Sequence, residues 1–295
     1  MTTAAQQHAQ RNRATLFVED GRLITTQAFP GDQFIMRILA PKCAAAARPG
    51  SFVHVSCGGA LPMRRPLSIM RAADDWIEVL YKVVGEGLHL LAGKRVGDSI
   101  SLLGPIGEPF RPSRERPNCL LIGGGVGIPP MVFLAESLQS DAWNPLAILG
   151  SEIPFPFERQ ESRISTPWAG DDVSSTMPLL ESWGIPARLT SLAGFSGCFR
   201  GYVTDLADKW LQGLGETDRK KTQIFACGPT PMLKAVAALA TTYDLPCQVS
   251  LEEFMACAVG GCAGCTVEIT TPEGPAMKRV CVDGPVFDSS TVVWQ

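Results

Sequence analysis

The chain has 295 residues, enough for two domains and a small module. Apolar residues make up 45% and charged residues 19%, and the net charge is −3, so the charge balance gives no case for a nucleic-acid partner. No apolar run reaches the length of a membrane span, and the polar start, with Gln6, Gln7, Arg11, Asn12 and Arg13, has no apolar stretch like that of a signal peptide.

Residues 1–14 read as a disordered leader of a cytoplasmic protein. From residue 15 to 112 the pattern is β-rich. Phe34 to Leu39, Phe52 to Val55 and Trp76 to Val84 read as strands, separated by turns such as Pro49-Gly50. Short strands with Gly and Pro punctuation predict an antiparallel barrel. Between the second and third of these strands lies Arg64-Arg65-Pro66-Leu67-Ser68-Ile69. An arginine there can neutralise a pyrophosphate through paired N–H bonds, and a hydroxyl on an extended segment can reach a flavin edge. Gly85-Glu86-Gly87-Leu88 follows, where backbone N–H groups at a helix start suit a phosphate. Each piece has a plainer reading as well: Arg-Pro-x-Ser as an ordinary strand end, Gly-x-Gly as a turn.

Arg111 to Pro117, rich in Pro, Arg and Glu, reads as a linker. From 113 to 249 strands and helices alternate, which predicts an α/β nucleotide-binding domain. The buried strand Asn118 to Ile122 runs into Gly123-Gly124-Gly125-Val126-Gly127, and Pro129-Pro130 then fits a first helical turn. A glycine loop between strand and helix suits a phosphate cradle, although the full G-x-G-x-x-G fingerprint is absent and a turn without ligand is the competing reading. Leu146 to Leu149 is a second parallel strand, closed by Ser151-Glu152. A carboxylate at Glu152 accepts a ribose hydroxyl and repels a 2′-phosphate, which favours NAD(H), while Arg159 and Arg163 keep NADP(H) open. Phe155 to Met177 has little periodicity and reads as a long loop or insertion. Thr222 to Ala226 is another strand, and Cys227-Gly228-Pro229 sits at its carboxyl end, where such sheets bind ligands.

Ten cysteines are present, six of them isolated and four crowded into residues 250–295. Cys257-x4-Cys262-x2-Cys265, with fifteen residues between the last of these and Cys281, has the spacing of a plant-type [2Fe–2S] site. Gly260, Gly261 and Gly264, with Ala256, Ala258 and Ala263, let a short backbone wrap tightly and aim N–H groups at sulfur. A structural zinc site is the alternative, but zinc knuckles come as paired Cys-x2-Cys and only one pair is present. The three histidines, His8, His54 and His89, have no acid–base setting and read as packing or solvent-facing groups. Gly194-Phe195-Ser196-Gly197 lacks the last glycine of a nucleophile elbow and does not support a hydrolase.

Four segments in this order, Arg65 to Ser68, Gly123 to Gly127, Cys227 to Met232 and the four-cysteine tail, resemble the ferredoxin–NADP reductase-type flavoproteins. Ser250 to Glu253 before the cysteines and Cys281 to Phe287 after them resemble the electron-transfer subunits of NAD-dependent dihydroorotate dehydrogenases within that family. The resemblance implies a ferredoxin reductase-like fold: a β-barrel FAD domain, an α/β nucleotide domain and a small C-terminal cluster module. It implies that Arg65, Pro66, Leu67, Ser68, Tyr81, Lys82, Val83, Gly87 and Leu88 hold FAD. Gly123, Gly124, Gly125, Val126, Gly127, Gly228 and Pro229 would hold NAD(H), with Cys227 near the hydride path. Cys257, Cys262, Cys265 and Cys281 would bind the cluster. The implied partner is an FMN-containing dihydroorotate dehydrogenase in a hetero-oligomer, its electrons entering through the cluster, passing to FAD and reducing NAD⁺ in pyrimidine biosynthesis. The sequence departs from the family pattern at Leu88 (usually Thr), at Phe254 (usually Arg), at Ala193 to Gly197 (usually an acidic stretch) and in the longer Phe155 to Met177 region. The same device could serve a hydrogenase, a sulfur reductase or an oxygenase; a zinc-stabilised binding module without redox chemistry is a reading of another class.

Overall fold

The computed structural model describes residues 16–58 and 61–294, so the leader expected at 1–14 and His8 lie outside the described residues. Six strands close a barrel in the order β1-β2-β5-β4-β3-β6: β1 (Phe17–Phe29), β2 (Gln33–Leu39), β3 (Phe52–Val55), β4 (Arg65–Ala73), β5 (Trp76–Lys82) and β6 (Ser99–Ile106). All its pairings are antiparallel. The strands alternate as a barrel requires. Val53, Val55, Leu67, Ile69, Ile77, Val79 and Tyr81 fill the interior. Helix α1 (Pro41–Ala46) and helix α2 (Gly85–Ala92) complete this half, and Leu88 and Leu91 of α2 pack into the barrel core.

The second half is a six-stranded sheet in the order β11-β8-β7-β12-β13-β16. Its strands β7 (Asn118–Gly124), β8 (Asn144–Gly150), β11 (Ala187–Thr190), β12 (Thr222–Cys227) and β13 (Cys247–Ser250) are parallel. The chain starts in the centre, moves outward through β8 and β11, then returns past β7 to β12. The order therefore reverses between β7 and β12, where crevices at the carboxyl ends of such sheets take ligands. Helix α3 (Ile128–Ser137) leaves β7, and its residues 128–135 are all buried. Arg71 of β4 pairs with Glu136 of α3 at 2.6 Å and ties the halves together. Helices α4 (Pro178–Ser182), α5 (Val203–Gly213), α6 (Glu216–Lys220) and α7 (Thr230–Thr242) supply the other crossovers. The expected long loop at Phe155 to Met177 contains a short antiparallel pair, β9 (Gln160–Glu161) with β10 (Ser175–Thr176).

Past Ser250 the chain makes the cysteine loop, a hairpin of β14 (Thr266–Thr271) and β15 (Gly274–Arg279), and then β16 (Val286–Asp288). β16 pairs antiparallel with β13, so the tail ends as the sixth strand of the nucleotide sheet. On its other side the module meets the barrel exit, where the Glu108 N–H donates to the Gly284 carbonyl at 2.6 Å. Ala258, Cys265, Val280 and Cys281 share one apolar cluster with Phe52 and Ile106 of the barrel and with Val249 of the sheet. Among the described residues no helix is long and apolar enough to cross a membrane.

Candidate redox site

The cysteine loop binds in pairs. The Cys262 N–H donates to Cys257 Sγ at 3.4 Å, and the Gly264 N–H donates to Cys262 Sγ at 3.4 Å. Burial pushes the Cys257 thiol up, but the N–H groups of Val259 and Cys262, the Cys262 side chain and the Gly261 N–H outweigh it and bring it down to about 7. Cys265 and Cys281 form the second pair: burial first, and then the adjoining Cys265 thiol, push Cys281 up to about 12. The backbone is bent to serve this arrangement. Ala258 and Ala263 have φ of 57° and 53° and Gly260 has φ of 79°, conformations that non-glycine residues adopt only when the surroundings hold them. Arg279 braces the loop, donating to the Gly260 carbonyl at 3.1 Å while Asp283 holds its Nε at 2.9 Å.

Two pairs of thiols suit two irons with two ligands each. A loop that supplies three thiolates with a fourth from further along is the plant-type arrangement, and the donor set fits [2Fe–2S]. The pairs also face different ways: Cys262 is exposed and Cys257 half-buried, whereas Cys265 and Cys281 are buried in the cluster shared with the barrel.

The flavin candidates lie on β4 and at the start of α2. Residues directly opposite in an antiparallel pair share a face. Ser68 lies opposite Phe52 and Pro66 opposite His54, so these four share the outer face of the barrel while Leu67 points into the core. The Arg65 guanidinium lies against Gly87, where a Cβ would come within 3.2 Å of it. Among the described residues it bonds only to the carbonyls of Met63 and Arg64, at 3.0 and 3.1 Å, and pairs with no carboxylate. Helix α2 starts at Val84 without a side-chain cap. A free guanidinium beside uncapped N–H groups is a cradle for a pyrophosphate, and the site fits FAD. Lys82 and Val83 are half-buried at the end of β5. The side chains of Tyr81 and Leu88 point into the barrel core, with Tyr81 stacked on Phe34 at 5.6 Å, so only their main chain can face a cofactor.

The nucleotide candidates meet at the reversal point of the sheet. Gly124 and Gly228 flank Met232, whose Sδ would lie 2.5 Å from a Cβ on Gly124. A Cβ on Gly127 would collide with the carbonyl of Cys227. Gly125 has φ of 54° with open space around it, and Val126 is half-buried beside it. Glycines thus join the β7–α3 loop to the end of β12, next to the start of α7 at Pro229, which no side chain caps. This crevice fits a dinucleotide. Cys227 is buried there, and burial, then the Glu252 carboxylate, raise its thiol well above the usual range, so it stays protonated and is no nucleophile. Glu152 stands exposed past the end of β8, accepting the Leu192 N–H at 3.4 Å. His89 is exposed on α2 and His54 is buried.

A flavin cradle on a closed barrel, a dinucleotide crevice and a two-pair thiol loop between them define an NAD(H)-dependent iron–sulfur flavoprotein of the ferredoxin reductase-like class. Comparison narrows this further. Residues 252–293 match the model of the iron–sulfur cluster binding domain of dihydroorotate dehydrogenase B. The chain is 30% identical to the dihydroorotate dehydrogenase B (NAD(+)) electron transfer subunit of Desulforamulus reducens, over 94% of this chain and 99% of the relative. It is 32% identical to that of Caldanaerobacter subterraneus subsp. tengcongensis, over 83% of this chain and 87% of the relative. A solved NADH-dependent reduced ferredoxin–NADP oxidoreductase, studied for flavin-based electron bifurcation, superposes with a TM-score of 0.75 at 27% identity, covering 94% of this chain and 90% of that one. The chain belongs to the family of electron transfer subunits of NAD(+)-dependent dihydroorotate dehydrogenase B.

Proposed function

We propose that this chain accepts electrons from a dihydroorotate-oxidising, FMN-containing partner subunit at its cysteine loop and delivers them to NAD⁺ in pyrimidine biosynthesis. The observation that carries the reading is the placement of the four thiols, one pair near the surface with Cys262 exposed and the other buried against the barrel face that bears Ser68. When bound, the flavin exchanges a hydride with nicotinamide and single electrons with the cluster, which converts one kind of transfer into the other.

The residues of the chain have separable tasks. Arg65 and the start of α2 hold the flavin pyrophosphate, and Pro66, Ser68, Lys82 and Val83, with the main chain of Leu67, Tyr81 and Leu88, line the isoalloxazine and phosphates. Gly123 to Gly127, with Gly228 and Pro229, hold the dinucleotide phosphates, and Glu152 accepts the ribose hydroxyl. The buried, protonated Cys227 shapes the nicotinamide pocket and excludes water. Phe254, which is 93% exposed just ahead of the loop, and the exposed Val259 within it form the apolar contact for the partner. The division of labour follows 15–112 for flavin, 113–249 for nucleotide and 250–295 for the cluster, with a hetero-oligomer as the working state.

The test is anaerobic co-purification with a dihydroorotate dehydrogenase catalytic subunit, followed by the visible spectrum during addition of dihydroorotate and NAD⁺. The expected result is bleaching by dihydroorotate and NADH formation that requires both chains. A chain that bleaches with NADH, yet gains no dihydroorotate-driven NAD⁺ reduction with that subunit, belongs to another partner.

A further inference from the structure

His54 has a setting that packing does not account for. On β3 the inward residues are Val53 and Val55, and the outward ones are Phe52 and His54. Opposite His54 stand Pro66 on the flavin strand β4 and Leu103 on β6. The cysteine module covers this row, so His54 is only 1% exposed. Its ring faces the main chain of Arg64, at the head of the flavin segment, and of Met255, two residues ahead of the cluster ligand Cys257. Neither contact closes: Nδ1 and Nε2 are both buried without a hydrogen-bond partner among the described residues. Burial, and then the Arg64 charge, push the imidazole below its ordinary range, so it is neutral at pH 7, with one donor and one acceptor.

A buried polar atom without a partner is destabilising, and an apolar residue of similar size does better where only space is to be filled. A leucine would serve a purely structural interface between β3 and the module. The polar ring instead stands where the flavin segment and the cluster loop come together, with both of its nitrogens in reserve.

Building on the relay proposed above, we infer that His54 is a positioning residue for electron transfer between the two centres. With flavin and cluster in place, its one N–H closes the hydrogen bond to the main-chain carbonyl at Met255 while the ring stays seated beside Arg64. It thereby holds the mouth of the cysteine loop against the barrel face that carries Ser68. The residue touches no reacting atom; it sets the gap that the electron crosses.

The test uses the full chain loaded with both cofactors, in the wild-type and His54→Leu forms. Flavin and iron are counted, the cluster and flavin midpoint potentials are titrated, and electron equilibration between the centres is timed after rapid reduction. The expected result for H54L is wild-type cofactor content, equal or higher thermal stability and an equilibration rate slowed by roughly tenfold or more, as for other small misplacements of reacting groups. An unchanged rate and unchanged potentials in H54L overturn the inference. Should H54L fail to assemble, His54→Gln and His54→Asn carry the test, since their amides stand where Nε2 and Nδ1 do. A slowed rate in either, at wild-type cofactor content, supports the inference, and wild-type rates in both overturn it. A wild-type chain that holds neither flavin nor cluster overturns the relay itself and this inference with it, and its spectrum reveals that before any variant is made.

Discussion

Replacing Gly127 by alanine puts a methyl group into the carbonyl of Cys227, closer than the 3.0 Å that real Cβ contacts keep. Both sides of this clash are backbone, at the end of β12 and in the turn entering α3. Relief therefore means moving the loop against the strand by about 1 Å. Helix α3 cannot yield, because residues 128–135 are all buried. Overpacking of this kind costs about 1–3 kcal/mol of stability. The same displacement opens the cradle that Gly123 to Gly127 make with Gly228, and misplacing a positioned group by about 1 Å can cost on the order of 10²-fold. Gly125 is the control. An added Cβ meets nothing within 4 Å, and the burden is only the positive φ of 54°, about 1–2 kcal/mol. The assay is anaerobic titration of the purified chain with NADH, following the visible bands, with dithionite added at the end. G127A should keep flavin and iron, bleach with dithionite and need on the order of 10²-fold more NADH, while G125A loses stability and much less affinity. A G127A chain that binds NADH as the wild type does refutes the placement of the nucleotide at this turn.

Three further outcomes follow from other parts of the site. Arg65→Gln removes the charge beside Gly87; with two charge-assisted bonds at about 1.5–3 kcal/mol each, FAD should be lost on gel filtration while the iron content stays, as flavin fluorescence and iron assays can measure. Glu152→Ser removes the carboxylate past β8, and the ratio of kcat/KM for NADPH over NADH should rise by about tenfold, through gain with NADPH more than loss with NADH. Asp283→Asn unties Arg279 from the cysteine loop. Burial raises the Asp283 carboxyl, but Arg279 outweighs it and holds it below the ordinary carboxylate range. Its contribution is therefore complete above the unfolded value, near 3.9, and is lost as pH falls through the lower folded value. At pH 7 the wild type should retain its cluster colour longer than D283N, and the difference should vanish only below about pH 4.

Much of the relay was legible from residue order because its chemistry is local. The cysteine spacing and the glycines within it, the Gly123 to Gly127 turn after a buried strand, and Cys227 at a strand end each carry their meaning within a few residues. The inward direction of Tyr81, expected as a flavin contact, was missed, although Ile77, Val79 and Tyr81 alternate on one face of β5. The burial of Leu88 is less readable, because α2 is short and its apolar side is set by the barrel beneath. β16 could not be read at all. Its three residues, Val286–Asp288, have no periodicity of their own, and their strand conformation comes from the exposed edge of β13. His54 belongs with β16: a lone histidine in an apolar strand looks like packing until a module far along the chain is seen to cover it.

That covering module is also why the cluster sits where it does. A loop of about ten residues with three ligand thiols and two alanines at positive φ has little apolar surface of its own. It needs a rigid base to hold four sulfurs in two pairs. The base comes from both neighbours. β16 adds to the nucleotide sheet, the Leu251 N–H bonds to the Pro285 carbonyl at 2.9 Å, and the Glu108 N–H reaches Gly284 from the barrel exit. A Cβ on Gly107 would collide with Pro285, so the barrel exit and the tail touch backbone to ring. Bonds on both sides make the loop a fixed wall between the barrel and the sheet. The buried pair Cys265 and Cys281 is thereby turned toward the barrel, and Cys257 and Cys262 stay within reach of a partner.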